Sequence, residues 1–232
     1  MKTALVIPVR LDSSRLPRKA LKHIDGKTVI QRVADRCLET HIPTIVVTDS
    51  LEIRDQLKGV KVIFQDRKAE SGTERIVNAL DHIDADNIIN VQGDQPFISP
   101  KAILEMYEFM MKHPLHNIVT PVSKHNPTKN TDPSKCKVVI SRSGRAIYFS
   151  RSAIPYNAID MWGHLGIYGY KKSFLKNYYK LKVSPLEKVE KLEQLRFIDN
   201  DVPIQTYKTE HSIFSIDTPL DLQNAIKKFP RI

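Results

Sequence analysis

The stretch Asn87–Pro96, NIINVQGDQP, decides how this chain is read. Ile88, Ile89 and Val91 form a short apolar, β-branched run, the composition of a buried strand. The run stops at Gln92-Gly93-Asp94, a turn-forming glycine followed by a carboxylate. In open α/β sheets the carboxyl ends of the strands form the edge where ligands bind. Asp94 is placed there to hold a divalent cation; the competing reading is a turn aspartate bonded to its own backbone.

Upstream, strands and helices alternate. Thr3–Val9, Thr44–Thr48 and Val60–Phe64 read as strands, and Thr28–Glu39, Leu51–Leu57 and Ser71–His82 carry apolar residues near helical spacing. This alternation predicts parallel βαβ units with helices on both faces of the sheet. Downstream, Ser99-Pro100 reads as a helix start running to about Lys112. Close-set strands follow at Ile118–Val122, Lys137–Ser141, Arg145–Phe149 and Leu165–Tyr170, with Ser143-Gly144 as a hairpin turn. Helices around Ser173–Tyr179 and Pro185–Phe197, a strand near Ile204–Tyr207 and a helix at Pro219–Lys228 end the chain. The expectation is a single α/β domain over residues 1–232, with a mixed or antiparallel sub-region at about 120–170.

Hydrophobic residues make up 41% and charged residues 27%, the balance of a globular protein rather than a disordered one. The net charge of +10 favours anionic partners such as nucleotides, acidic sugars or nucleic acid. Nucleic acid is the weaker of these: aromatics are only 7%, and there is no helix-turn-helix, zinc or RNP-like signature. Cys37 and Cys136 are isolated, which points to a reducing compartment without a disulfide framework. No apolar run approaches a membrane span and the N-terminus reads as a strand, so a cytoplasmic location is expected.

Five stretches could carry chemistry. The loop after the first strand holds Arg10, Arg15, Arg18 and Lys19, a cation density suited to a polyphosphate, or simply a solvated basic loop. Ser71-Gly72-Thr73-Glu74-Arg75 is a small-residue turn into a helix, either an anion contact or an ordinary cap. Asp217, after Phe214-Ser215-Ile216, either caps the last helix or joins Asp94 as a second carboxylate; two carboxylates facing phosphates commonly hold Mg²⁺. On a helical wheel of Pro185–Phe197, Glu193 and Arg196 fall within the apolar arc, as an i,i+3 ion pair or with Glu193 meeting substrate hydroxyls. Gly163–Tyr170 sets His164 and tyrosines among glycines, a packed strand or a close ligand approach.

Together, IPVRLDSSRLPRKAL, SGTERI, NVQGDQP, YFSRSAIP, HLGIYGY, LEQLR and IDTPLDL resemble, in order and spacing, the bacterial CMP-Kdo synthetases, the 3-deoxy-manno-octulosonate cytidylyltransferases. The resemblance implies a homodimeric enzyme with a glycosyltransferase-A-like, Rossmann-type nucleotide-binding fold. It implies that CTP and Kdo give CMP-Kdo and pyrophosphate, for lipopolysaccharide or capsule synthesis. It assigns Arg10, Arg15 and Lys19 to the triphosphate, Ser71, Gly72, Thr73 and Arg75 to the cytidine pocket, and Asp94 and Asp217 to Mg²⁺. Gln92, Arg151, His164, Tyr168, Glu193 and Gln194 then face the sugar acid, with Arg151 suited to its carboxylate. Three positions depart from the family pattern: Arg18 replaces a usual glycine, Gln95 a glutamate, and Gly163 an arginine or lysine. The last two open an alternative acceptor, a related keto-sugar acid such as 8-amino-Kdo.

Overall fold

The computed structural model describes residues 1–13, 15–125, 132–158, 160–212 and 214–228; Ser14 of the basic loop lies outside them. The chain divides into two compact units, Met1–Leu104 with Ile213–Ile232, and Glu105–Ser212.

In the first unit, β1 (Thr3–Val9) is buried along its whole length, as a strand covered on both faces must be. A short hairpin, β2 (His23–Ile24) and β3 (Lys27–Thr28), leads into α1 (Val29–Leu38). Its turn residues Asp25 and Gly26 both have positive φ, 45° and 75°, the geometry of a tight type I′ turn. The Thr28 hydroxyl caps α1 by accepting from the Gln31 amide at 3.2 Å. Helix α1 buries Val29, Ile30, Val33, Ala34 and Cys37, the face its spacing predicts. Next come β4 (Thr44–Thr48), α2 (Leu51–Gln56), β5 (Lys61–Phe64), α3 (Gly72–Asn78) and β6 (Asn87–Asn90). These strands pair in the order β5-β4-β1-β6, all parallel. Helix α4 (Pro100–Lys112) follows.

In the second unit, β7 (Ile118–His125) pairs antiparallel with β10 (Met161–His164) and β11 (Tyr168–Lys171), and parallel with β12 (Gln205–Lys208). Strands β8 (Lys137–Ile140) and β9 (Ala146–Ser150) form the expected hairpin, and β8 also pairs with β10. The α-helices that follow in this unit are α5 (Lys172–Leu175), α6 (Pro185–Glu190) and α7 (Leu195–Asp199); α8 (Pro219–Lys228) belongs to the first unit.

Two sequence expectations need correction. The strand expected at Leu165–Tyr170 begins only at Tyr168, as β11; β10 has already ended at His164, and between them Gly166 takes a φ of 79° that glycine adopts without strain. The single helix expected over Pro185–Phe197 is α6 and α7, broken at Lys191 with φ 53° and ψ 47°. The wheel drawn through that break fails: Val189, expected in the buried arc, is 82% exposed. Arg196 makes a bidentate pair with Glu187 at 2.6 and 2.7 Å, bridging the two helices.

Candidate active site

The carboxyl ends of β1 and β6 lie side by side, with Val6 in register with Asn90. The Val91 amide extends the pairing by donating to Val6 O at 3.0 Å. The two turns beyond them are pressed together. A Cβ on Gly93 would lie 3.2 Å from Val9 Cβ and 3.3 Å from Pro8 O, so a side chain there would crowd the Gln92-Gly93-Asp94 turn against the end of β1. A Cβ on Gly72 would meet Pro8 Cγ at 3.3 Å and Gln92 Oε1 at 3.6 Å, which brings the start of α3 to the same edge.

Asp217 reaches this edge through its neighbours. Leu16, Ile24, Val29, Ile216 and Ala225 pack in one buried cluster, so the basic loop and the segment before α8 share a core. The Ile216 amide donates to Asp94 O at 2.9 Å, tying the two acid-bearing segments together by main chain. Helix α8 is capped without Asp217. Asp221 Oδ2 accepts from the amides of Asp217 and Thr218 at 3.1 and 2.8 Å, and the Asp221 amide donates to Thr218 Oγ1 at 3.2 Å. The Asp217 carboxylate is therefore available for the edge.

Both carboxylates converge on one ammonium. Lys19 Nζ donates to Asp94 Oδ2 at 2.8 Å and to Asp217 Oδ1 at 3.1 Å; Arg15 Nη2 meets Asp217 Oδ1 at 2.9 Å. Burial disfavours the Lys19 charge, but Asp94 and Asp217 outweigh it and raise its pKa above the ordinary lysine value. Arg10 is exposed just beyond β1. Arg18 turns away from the acids to pair with Glu52, its backbone left-handed at φ 57°. That conformation is why glycine suits the position in the pattern the sequence resembles.

Around α3, the Ser71 hydroxyl accepts from the Glu74 amide at 3.1 Å, so the cap reading of this turn holds in its geometry. Thr73 is fully buried. Arg75 is 3% exposed; its Nη2 donates to Asp49 Oδ2 at 2.8 Å, while Nη1 has no hydrogen-bond partner among the described residues. Asp49 escapes notice in the sequence. The signal was there: it follows the strand TIVVT as Asp94 follows NIINV. Gln92 Nε2 donates to Asn90 Oδ1 at 3.4 Å.

The other expected sugar residues lie in the second unit. His164 Nε2 is 2.9 Å from Thr120 Oγ1, whose hydroxyl donates to Ile167 O at 2.7 Å, so the imidazole is the donor to Thr120. Phe149 and Tyr168 each lie 5.1 Å from its ring, and burial pushes its pKa down to about 3. Tyr168 is buried and stacked on Tyr170 at 5.7 Å. Gln194 Nε2 donates to Cys136 Sγ at 3.5 Å, and Glu193 lies between α6 and α7, partly exposed. Arg151, expected at the sugar carboxylate, spends its guanidinium on Glu190 O (2.9 Å), Pro133 O (3.1 Å) and Lys191 O (3.2 Å). Three of its five N–H donors are used in this way, one on each nitrogen, and two remain for a carboxylate. Glu190, unnoticed in the sequence, accepts from Ser150 Oγ at 2.6 Å and the Arg151 amide at 2.9 Å.

With a parallel sheet whose carboxyl edge carries a basic loop and two convergent aspartates, the chain belongs to the nucleotidyltransferases. The family model described as cytidylyltransferase matches residues 4–205. This chain belongs to the cytidylyltransferase family, and within it to the 3-deoxy-manno-octulosonate cytidylyltransferases. The protein of that name from Rickettsia prowazekii is 42% identical over 231 residues, covering 97% of this chain and 94% of its own. The one from Rickettsia bellii is 41% identical over 235 residues, covering 98% and 96%. Among solved structures, CMP:2-keto-3-deoxy-manno-octonic acid synthetase complexed with CTP superposes with a TM-score of 0.92 at 34% identity, covering 98% of both chains.

Proposed function

We propose that this protein transfers the cytidylyl group of CTP to 3-deoxy-manno-octulosonate, releasing pyrophosphate and yielding CMP-Kdo for lipopolysaccharide or capsule synthesis. One observation carries the reading: Lys19 grips Asp94 and Asp217 together at the carboxyl edge of the parallel sheet, in a chain with full-length relatives of that name.

In the reaction the anomeric hydroxyl attacks the α-phosphorus of CTP. A new P–O bond forms, the bond to the β-phosphate oxygen breaks, and the hydroxyl proton passes to solvent. Positioning and charge neutralisation carry most of the rate in such transfers. Arg10, Arg15 and Lys19 neutralise the triphosphate and the departing pyrophosphate. The buried Arg75 Nη1 is costly without a partner, and a nucleotide oxygen would satisfy it.

Asp94 and Asp217 fit Mg²⁺. Their donors are hard carboxylate oxygens, and they already share one positive charge. Among the described residues no group of three or more His, Cys, Asp or Glu comes together, so the other ligands would be substrate oxygens and water. Bound there, Mg²⁺ would polarise the α-phosphate. We further propose a homodimer, checked by light scattering, and a cytoplasmic location; among the described residues no helix is long and apolar enough to cross a membrane.

The test is pyrophosphate release from each nucleoside triphosphate, with and without Kdo and Mg²⁺. Release that requires CTP, Kdo and Mg²⁺ together is expected. Equal release without Kdo, or from any triphosphate, would reject the proposal. A higher kcat/KM for 8-amino-Kdo than for Kdo would move the acceptor to the amino sugar.

A further inference from the structure

Lys137 on β8 is fully buried, although it is a lysine. Its Nζ donates to three main-chain oxygens: Asp132 O at 3.0 Å, Lys135 O at 2.8 Å, and Arg151 O. A neutral amine has only two N–H groups, so three accepting carbonyls favour the ammonium form, against the burial that lowers the Lys137 pKa. Three converging carbonyls otherwise resemble the shell of a small monovalent cation. Here the chain supplies the cation itself.

What the ammonium joins gives it a role. Asp132 and Lys135 belong to the segment entering β8, whereas Arg151 follows β9. The adjacent residue, Cys136, accepts from the His164 amide at its carbonyl (2.9 Å) and from Gln194 Nε2 at its sulfur (3.5 Å). The dipeptide Cys136-Lys137 thus contacts Arg151, His164 and Gln194, three of the five second-unit residues that the family pattern places at the sugar acid. Arg151 is also fixed from its other end, its guanidinium reaching Pro133 O in the segment that Lys137 holds.

We propose that Lys137 is a positioning residue for the acceptor: its ammonium is an internal cation that sets the spacing of Arg151, His164 and Gln194 without touching the sugar. This rests on the reading that those three residues meet the sugar acid. Removing the charge loosens the acceptor side and leaves the phosphate-facing cations of the first unit intact.

The test measures KM for Kdo and for CTP in Lys137→Met, which keeps the volume, and in Lys137→Gln, which keeps two N–H donors. Both are checked for folding by thermal unfolding and assayed beside Arg151→Ala. The Kdo KM should rise about 10- to 100-fold while the CTP KM stays within about twofold. In Lys137→Ala, propylammonium should restore part of the activity and tetramethylammonium at equal ionic strength should not. An unchanged Kdo KM in a folded variant, an equal rise for both substrates, or equal rescue by the two ions would overturn the proposal. If Arg151→Ala raises the Kdo KM and Lys137→Met does not, only the role of Lys137 fails. If neither raises it, the sugar-site reading has failed and takes the role of Lys137 with it. Should the Met and Gln variants not fold, Lys137→Ala purified in propylammonium is dialysed. Loss of turnover with CTP still protecting against thermal unfolding supports the role; loss of both refutes it.

Discussion

Asp94 and Asp217 share one ammonium, and the two have different neighbours. Asp217 also meets Arg15; Asp94 depends on Lys19 alone among the cations of the loop. Asp94→Asn and Asp217→Asn should each lower kcat/KM by about 10²–10³-fold, read by pyrophosphate release, with unfolding curves close to the parent's. Activity near the parent's in either variant would remove that carboxylate from the chemistry. His164 makes a second, independent prediction. Its folded pKa of about 3 lies below the ordinary histidine value, so the unfolded chain binds the extra proton first as pH falls. The stability it contributes is full above about pH 6.5 and declines towards pH 3, by at most about 1.4 kcal/mol per pH unit. Urea unfolding between pH 8 and 5 should show a slope that flattens in His164→Asn. A ring proton resonance that titrates near pH 6.5 in the folded protein would contradict it.

Among the secondary elements, those built on unbroken periodicity are readable in the sequence: β1, β4, α1, α4 and α8 fall within a residue or so of their expected bounds. The misreadings share a cause. Gly166 and Lys191 take left-handed backbone inside stretches whose side chains keep an apparently continuous pattern, and composition does not reveal where a backbone reverses. Missing the break at Lys191 hid the partner that Arg196 finds on α6, because a wheel assumes one axis. That pair spans α6 and α7, with side chains only 9% and 14% exposed. Glu187 also accepts from the Ser184 amide as part of the α6 cap. Glu187→Ala and Arg196→Ala should each destabilise the protein by about 3 kcal/mol, since each removes one partner of a largely buried ion pair. The double variant should cost less than their sum in chemical denaturation; strict additivity would mean the two groups do not interact. At the candidate site, the acids and the basic loop are visible as residue types after strands. The carbonyl-bound state of Arg151 and the Lys137 cage are not, because main-chain acceptors carry no letter of their own.

Considered as a molecule, the protein carries a net charge of +10 and meets anionic partners. Within the first unit the loop that supplies Arg15 and Lys19 stands against two acids, so its field is partly cancelled before any ligand arrives. Long-range attraction then rests on the general surplus of charge, which salt screens over about 8–10 Å. Raising ionic strength from 50 to 500 mM should raise the CTP KM several-fold through slower encounter while kcat changes little. A fall in kcat alone would place the salt effect on the chemistry instead.

The amide of Ile216 on the carbonyl of Asp94 has an evolutionary corollary. The separation of the two acidic segments is set by a main-chain N–H, which every amino acid but one supplies. Side chains nearby can be exchanged freely over generations without altering that gauge. Proline at 216, lacking the donor, is the substitution that lineages using this chemistry should never be found to carry.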